Sequence, residues 1–568
     1  MQDVAEALRV ALEHHQAGRL DAAENVFRQV LAQDPNNVAA LNNLGNVLRD
    51  RADFPPAVEC FRRAVALVPH VAELHYNLAN ALRAVGQKEQ ALESYRQAIT
   101  IAPHLAVAHN NLGTLLKSQG DLEGAERAFA EAVRLEPKYA DAHYNLGNVQ
   151  QARRHFAAAR SSYQRSLELR PDNAAAHYNL GTVWQTEKND EAARAEFLEA
   201  LRIQPRYPEP LCNLGILHLA RGEDEQALAH FEQALAIDPE CPEAHFNRGA
   251  VHLAHGNYAA GWPEYAWHTR CPLYGDRQFD SVRWQGEPLE GRTLLVHCHH
   301  GMGDTLQFSR LVGEVRRRGA GRVLLAAQEK LHPLLSEAGL DCELVSPNDV
   351  ERELSFDVYV SLMSLPGVLQ LTDATIPGEP YLRAAEARVA EWREALSRFE
   401  GFRVGIAWQG NRHYAWDHLR SIPLAAFEPL AGVPGVQLMS LQFGFGREQL
   451  ADVAFPVTDL SQGIDREGAF VDTAAIIANL DLVISSDTAL AHLAGALGAR
   501  TWTALPCGAE WRWQRAGKTT PWYGSMQLFR QTSVGRWDDV FAEMARRLQE
   551  EVAAKDRVSK RDGSGIIE

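Results

Sequence analysis

Seven prolines, Pro35, Pro69, Pro103, Pro137, Pro171, Pro205 and Pro239, stand 34 residues apart. A period held that long restricts the chain to stacked copies of one supersecondary unit. A small-residue series keeps the same step: Gly45, Ala79, Gly113, Gly147, Gly181, Gly215 and Gly249. So do Ala23, Ala57, Ala91, Ala125, Ala159, Ala193 and Ala227, and the aromatics Phe27, Phe61, Tyr95, Phe129, Tyr163, Phe197 and Phe231. Each period reads as helix A, a turn, and helix B. Small residues let the two helices approach, the aromatic of helix B fills the space between repeats, and the proline ends helix B.

These series match the tetratricopeptide-repeat (TPR) pattern. They imply an all-α TPR solenoid over residues 1–268, with about seven full repeats and a partial eighth whose core is 245–268. A fifth series, Asn43, Asn77, Asn111, Asn145, Asn179, Asn213 and Asn247, occupies one position of helix A; the first repeat has Arg9 there. A carboxamide offers a donor and an acceptor, the pair that can hold a peptide bond. The row reads either as a peptide-binding groove or as bonds between neighbouring helices. It resembles the asparagine ladder in the TPR superhelix of O-linked N-acetylglucosamine transferases. That resemblance implies a protein or peptide acceptor held in the groove.

The net charge of −16 is spread evenly, with 25 basic and 33 acidic residues in 1–250 and 32 and 40 in the remainder. Such a balance argues against a nucleic-acid partner, which calls for a basic face. Residues 1–16 lack the charged and apolar regions of a secretory leader. No apolar run reaches the roughly 20 residues needed to span a membrane. Cys60, Cys212, Cys241, Cys271, Cys298, Cys342 and Cys507 contain no C-x-x-C pair. Reduced thiols and a cytoplasmic location are therefore expected.

The 34-residue register stops after His268. Residues 269–290 are turn-rich and polar, and read as a connector. From Thr293 short apolar runs alternate with amphipathic stretches, and the alternation restarts near Arg403. Two Rossmann-like lobes are expected, 291–390 and 400–550, followed by a disordered tail over 552–568. The cleft at the carboxyl ends of their strands is the expected ligand site.

Three segments carry candidate chemistry. The loop His299-His300-Gly301-Met302-Gly303-Asp304 follows a strand and opens a helix. Gly301 and Gly303 allow close approach of a ligand or of the other lobe. Asp304 reads either as a general base towards an acceptor hydroxyl or as a helix cap. The segment Ser485-Ser486-Asp487-Thr488 ends a strand and begins a helix, whose free amides suit a pyrophosphate. His492 lies one turn on from Thr488, as a ligand contact or as a core histidine. In the third segment, Trp408, Gln409 and Asn411 precede Arg420. Arg420 can fork onto phosphate or remain a solvated surface cation. Trp408 and Gln409 contact base or sugar, or simply pack.

This second half resembles glycosyltransferase family 9, the ADP-heptose lipopolysaccharide heptosyltransferases, over roughly 250 residues. Gly303-Asp304 looks like that family's glycine–aspartate loop, and Asp487-Thr488 with His492 like its donor-binding stretch. Ala489 stands where the family has a glycine, and Arg420 where it has a lysine. The resemblance implies a GT-B fold and an inverting transferase. Asp304 would be the base, and Gly301, Gly303, Trp408, Gln409, Asn411, Arg420, Ser486, Asp487, Thr488 and His492 would bind a nucleotide-sugar donor. No Asp-x-Asp ends a strand in 290–535, so protein groups rather than a metal are expected to stabilise the leaving group; no cofactor is implied. TPR repeats fused to such lobes are similar to bacterial TPR proteins with a family-9-like domain. Two alternatives stay open: a non-catalytic scaffold with a degenerate transferase domain, or a transferase whose acceptor is a lipopolysaccharide-type glycan.

Overall fold

A computed structural model of the chain describes residues 4–272, 277–298, 300–350, 354–414 and 416–563. His299, placed in the candidate loop, lies outside them. The chain divides into two compact units, Met1–Pro205 and Arg206–Glu568.

The first unit is all-α, a run of helix pairs from Val4–Gln16 to Asp190–Ile203. The small-residue series explains the pairing. A Cβ placed on Gly147 would lie 2.7 Å from the Tyr163 ring, and one on Gly181 would lie 2.5 Å from Phe197. The backbone of helix A thus rests directly on the aromatic of helix B, and Tyr163 and Phe197 are fully buried. Helix Leu122–Leu135 stops at its cap Glu136, just before Pro137. The turn that follows is clipped by His143, whose Nε2 donates to Pro137 O at 3.1 Å. His75, His109 and His177 make the same bond to Pro69, Pro103 and Pro171. A carbonyl only accepts, so Nε2 carries the proton in each. These histidines form a further series at the 34-residue step, one whose role only the turn geometry reveals.

The second unit opens with four more repeat helices, Pro208–Ala220, Asp224–Ile237, Pro242–Ala254 and Tyr258–Tyr265, and a 3-10 turn to Arg270. The compact units therefore part at Pro205, well before the break at 268–290 suggested by the register. Side chains explain the difference. Arg515 Nε donates to Asp224 Oδ2 at 2.6 Å. Trp262 and Tyr265 set their rings edge-on to Trp511, at 5.4 and 5.5 Å. One apolar core runs from Leu253 and Trp262 through Leu294 to Val483 and Trp522.

Two parallel sheets follow. The first comprises β1 (Val282–Arg283), β2 (Thr293–His297), β3 (Arg322–Ala326), β4 (Glu343–Val345) and β5 (Val358–Ser361), in the order β1-β5-β2-β3-β4. Part of the expected connector is thus an edge strand, with Val282 opposite Val358. The second sheet comprises β6 (Phe402–Ala407), β7 (Val436–Ser440), β8 (Thr458–Asp459), β9 (Leu482–Ser486), β10 (Thr501–Leu505) and β11 (Met526–Arg530). Read from β8, its order is β8-β7-β6-β9-β10-β11. That is the 3-2-1-4-5-6 order of a doubly wound Rossmann sheet.

Within the stretch 552–568, expected to be disordered, residues 552–563 continue the helix Asp538–Gly563. Val552 packs on the apolar core of the second lobe, and Lys555 Nζ donates to Asp481 Oδ1 at 2.7 Å. Residues 564–568 lie outside the described residues. Among those described, no helix is long and apolar enough to cross a membrane.

Candidate functional site

In the second sheet the chain leaves β6 towards β7 and crosses back to β9 on β6's other side. Such a switch in strand order opens a crevice at the carboxyl ends of the two strands. A cleft of about 800 Å³ lies there. Its walls come from the first lobe at 301–304, from loops of the second lobe, and from repeat helices Pro208–Ala220 and Pro242–Ala254. Asn247, on the last of these helices, reaches the cleft; its Nδ2 also donates to Glu243 O at 2.8 Å.

Asp304 lies in the first turn of helix Met302–Phe308. Its Oδ2 accepts from Gly301 N at 3.2 Å, so it does cap its helix. Its Oδ1 accepts from Arg512 Nη2 at 2.5 Å. Arg512 also pairs with Glu510 and lies 5.0 Å from the Phe308 ring centre. Its side chain is only 5% exposed, yet it lines the cleft. A buried guanidinium requires such partners, because an unpaired charge out of water is costly.

Gly303 lines the cleft and also meets the other lobe closely. A Cβ there would lie 3.2 Å from His492 Cδ2 and 3.4 Å from Ala489 Cα. The glycine lets helix Met302–Phe308 of one lobe cross helix Ala489–Ala496 of the other. His492 is part of the same crossing. It stacks on Trp513 at 5.2 Å and shares a hydrogen bond with Tyr523 Oη at 3.0 Å. Burial, with Arg512, Arg310 and Arg420 nearby, pushes its pKa well below 6.5. Burial thus favours the neutral ring, which stands at the cleft wall.

Thr488 caps helix Ala489–Ala496 without a side-chain cap bond; its hydroxyl meets Ser485 Oγ at 3.2 Å. The first amides of that helix remain available to an anion. Asp487 is buried beside them. Burial raises its carboxyl pKa, against the opposing pull of Arg420, Trp513 and Arg512. Arg420 Nε donates to Asp417 Oδ1 at 3.2 Å, and its guanidinium lies 4.7 Å from the Tyr414 ring centre. A Cβ on Gly410 would sit 2.7 Å from Arg420 Nη2, so that glycine admits the arginine.

The cleft gathers Gly301, Gly303 and Asp304 from one lobe. From the other it gathers Gln409, Asn411, Arg420, Asp487, Thr488 and His492. Trp408 and Ser486 belong elsewhere. Trp408 is fully buried, packs near Phe427 and donates from Nε1 to Gly446 O at 3.1 Å. Ser486 is fully buried and not among the lining residues. Arg512 and Glu510 line the cleft but do not stand out in sequence. The signal that could have found them is a cation among aromatics, Trp511-Arg512-Trp513, just past a buried strand.

In the first unit Asn77, Asn111, Asn145 and Asn179 of the series bond helix to helix. Asn77 Nδ2 donates to Asn42 Oδ1 and Asn145 Nδ2 to Asn110 Oδ1, both at 3.0 Å. Asn111 and Asn179 donate to Asn80 and Asn148 Oδ1 at 3.0 and 2.8 Å. Each partner lies in the repeat before.

The architecture is that of a TPR solenoid running into a two-sheet parallel α/β half. The repeats are tetratricopeptide repeats: the family described as "TPR repeat" matches 113–152 and 217–256, and "Tetratricopeptide repeat" families match 8–52, 144–208 and 37–104. Protein FlbA of Caulobacter vibrioides is 28% identical over 301 residues, covering 49% of this chain and 50% of that protein. The chain thus spans about half the length of that curated relative. Among solved structures, the TPR protein YrrB is 24% identical with a TM-score of 0.31, over 33% of this chain and 96% of YrrB. A thermophilic TPR protein of Thermus thermophilus is 23% identical with a TM-score of 0.27, over 32% of this chain and 98% of that one.

Proposed function

We propose that the second unit is a GT-B glycosyltransferase of the family-9 type, and that it transfers a sugar with inversion from a nucleotide-sugar donor to a hydroxyl of a protein held by the repeats. One observation carries this reading. Three carboxylates, Asp304 among them, three arginines, Arg420 and Arg512 among them, and a helix N-terminus without a side-chain cap bond converge on one cleft at the strand-order switch point. Asp304 takes the proton of the acceptor hydroxyl as its oxygen attacks the anomeric carbon. The bond from that carbon to the diphosphate oxygen breaks, and the oxygen leaves with the electron pair. Arg420 and the amides after Thr488 receive the developing charge. Arg512 keeps Asp304 oriented.

The repeats suit a protein acceptor, since Asn247 on the last of them lines the same cleft as Asp304. The scaffold reading draws on a specific observation too: Asp304 is already engaged by Gly301 and Arg512.

Calorimetry on the full chain with uridine, guanosine, adenosine and cytidine diphosphates tests the proposal, together with a donor-hydrolysis screen across the matching sugars. One nucleotide is expected to bind, and Arg420→Ala to weaken it by roughly 1.5–3 kcal/mol, the range for a charge-assisted hydrogen bond. If no nucleoside diphosphate binds and no donor is hydrolysed, the scaffold reading replaces this one.

A further inference from the structure

Few large apolar side chains are exposed among the described residues; Phe443 is one, at 48%, and it lines the cleft. It follows β7 in the segment Phe443-Gly444-Phe445-Gly446. Gly444 and Gly446 have φ of +65° and +85°, conformations that glycine adopts freely. The loop is nevertheless held firmly. Gln442 is 3% exposed, and its Nε2 donates to Gln409 O and Phe445 O, both at 2.8 Å. Its Oε1 accepts from Trp408 N and Gln409 N at 2.9 and 3.0 Å. Phe445 is backed by Arg412, whose guanidinium lies 4.7 Å from the ring centre.

A braced loop thus holds a phenylalanine ring in solvent, where an apolar ring gains nothing by itself. We propose that Phe443 is the stacking platform for the nucleobase of the donor. The inference rests on the reading of the second unit as a nucleotide-sugar enzyme. A flat heteroaromatic ring covers an exposed phenyl face, and stacking of this kind tolerates any base. The same cleft supplies Arg420 and the helix Ala489–Ala496 for the diphosphate that such a base carries. Gln409, also lining the cleft, offers a carboxamide to the edge of the base.

The test uses the full chain and two kinds of probe: the panel of nucleoside diphosphates, and inorganic pyrophosphate, which has no base. Phe443→Ala is expected to lower nucleoside diphosphate affinity about tenfold or more, leaving pyrophosphate affinity unchanged. Phe443→Tyr is expected to restore it. Undiminished nucleotide binding by Phe443→Ala overturns the platform while leaving the enzyme reading intact, as does an equal loss for both probes. Failure of the parent chain to bind any nucleoside diphosphate overturns both.

Discussion

Arg512 Nη2 donates to Asp304 Oδ1 at 2.5 Å, joining a loop that follows β10 in the second lobe to the first helix turn of the other lobe. The bond gives Asp304 a structural role beside any chemical one. Removing one partner of a buried pair strands the other charge, which costs about 3–5 kcal/mol. Arg512 keeps Glu510 as a partner, so Asp304→Ala is expected to lower stability by less than that, about 1.5–3 kcal/mol in urea unfolding, and Asp304→Asn by clearly less, because its Oδ1 still accepts from Arg512. If the two variants unfold alike, the pair contributes little to holding the lobes.

The same two variants address the chemistry. If Asp304 is the base, Asp304→Asn lowers turnover about 10²–10⁴-fold with donor affinity nearly unchanged. Near-normal turnover would leave Asp304 as a cap and a tether only.

Gly303→Ala places a methyl 3.2 Å from His492 at the crossing of two interlobe helices. Overpacking of this kind costs about 1–3 kcal/mol. Thermal unfolding should show a lower Tm; an unchanged Tm would mean that the crossing yields freely.

His492 supplies a pH dependence. Its folded pKa is depressed by burial, whereas the unfolded chain binds a proton near 6.5. The unfolded state therefore gains protons first as pH falls. Stability is full above about pH 6.5 and declines below it, by at most about 1.4 kcal/mol per unit for one group. His492→Gln should flatten that part of the stability profile; an unaltered slope between about pH 6.5 and 5 would show that other groups set it.

The repeats were legible because one step of 34 residues recurs in several residue types at once. The Rossmann-like lobes were legible from their alternation of apolar runs and amphipathic helices. The cleft was legible only in part. Asp304 and Asp487 follow strands and sit at helix starts, where parallel sheets put ligands, and Arg420 ends the short helix Asp417–Arg420 beyond β6. Trp408 and Ser486 also fall at strand ends, but buried parallel strands are apolar on both faces. Alternation then cannot tell cleft from core, and both side chains point into the core. Arg512 lies in a 3-10 turn, a segment too short for any period.

The asparagine series makes two separable claims. Asn145 and Asn179 each donate to the repeat before, so a single Asn→Ala change should cost about 0.5–1.5 kcal/mol in chemical unfolding. Replacing Asn145, Asn179, Asn213 and Asn247 together should also raise the apparent KM for a protein acceptor many-fold, with donor hydrolysis unchanged. If acceptor kinetics match the parent while stability falls, the amides serve the solenoid alone.

Asp224 accepts from Arg515 across 291 residues of chain, and this bond limits how such proteins can be rebuilt by recombination. A gene fusion that joins new repeats at the end of the 34-residue register would sever Asp224 from Arg515 and Trp262 from Trp511. A junction at Pro205 would leave both pairs intact. Exchange of repeat arrays between relatives should therefore be tolerated upstream of Arg206, while the four helices beyond it descend with the α/β half as a single inherited piece.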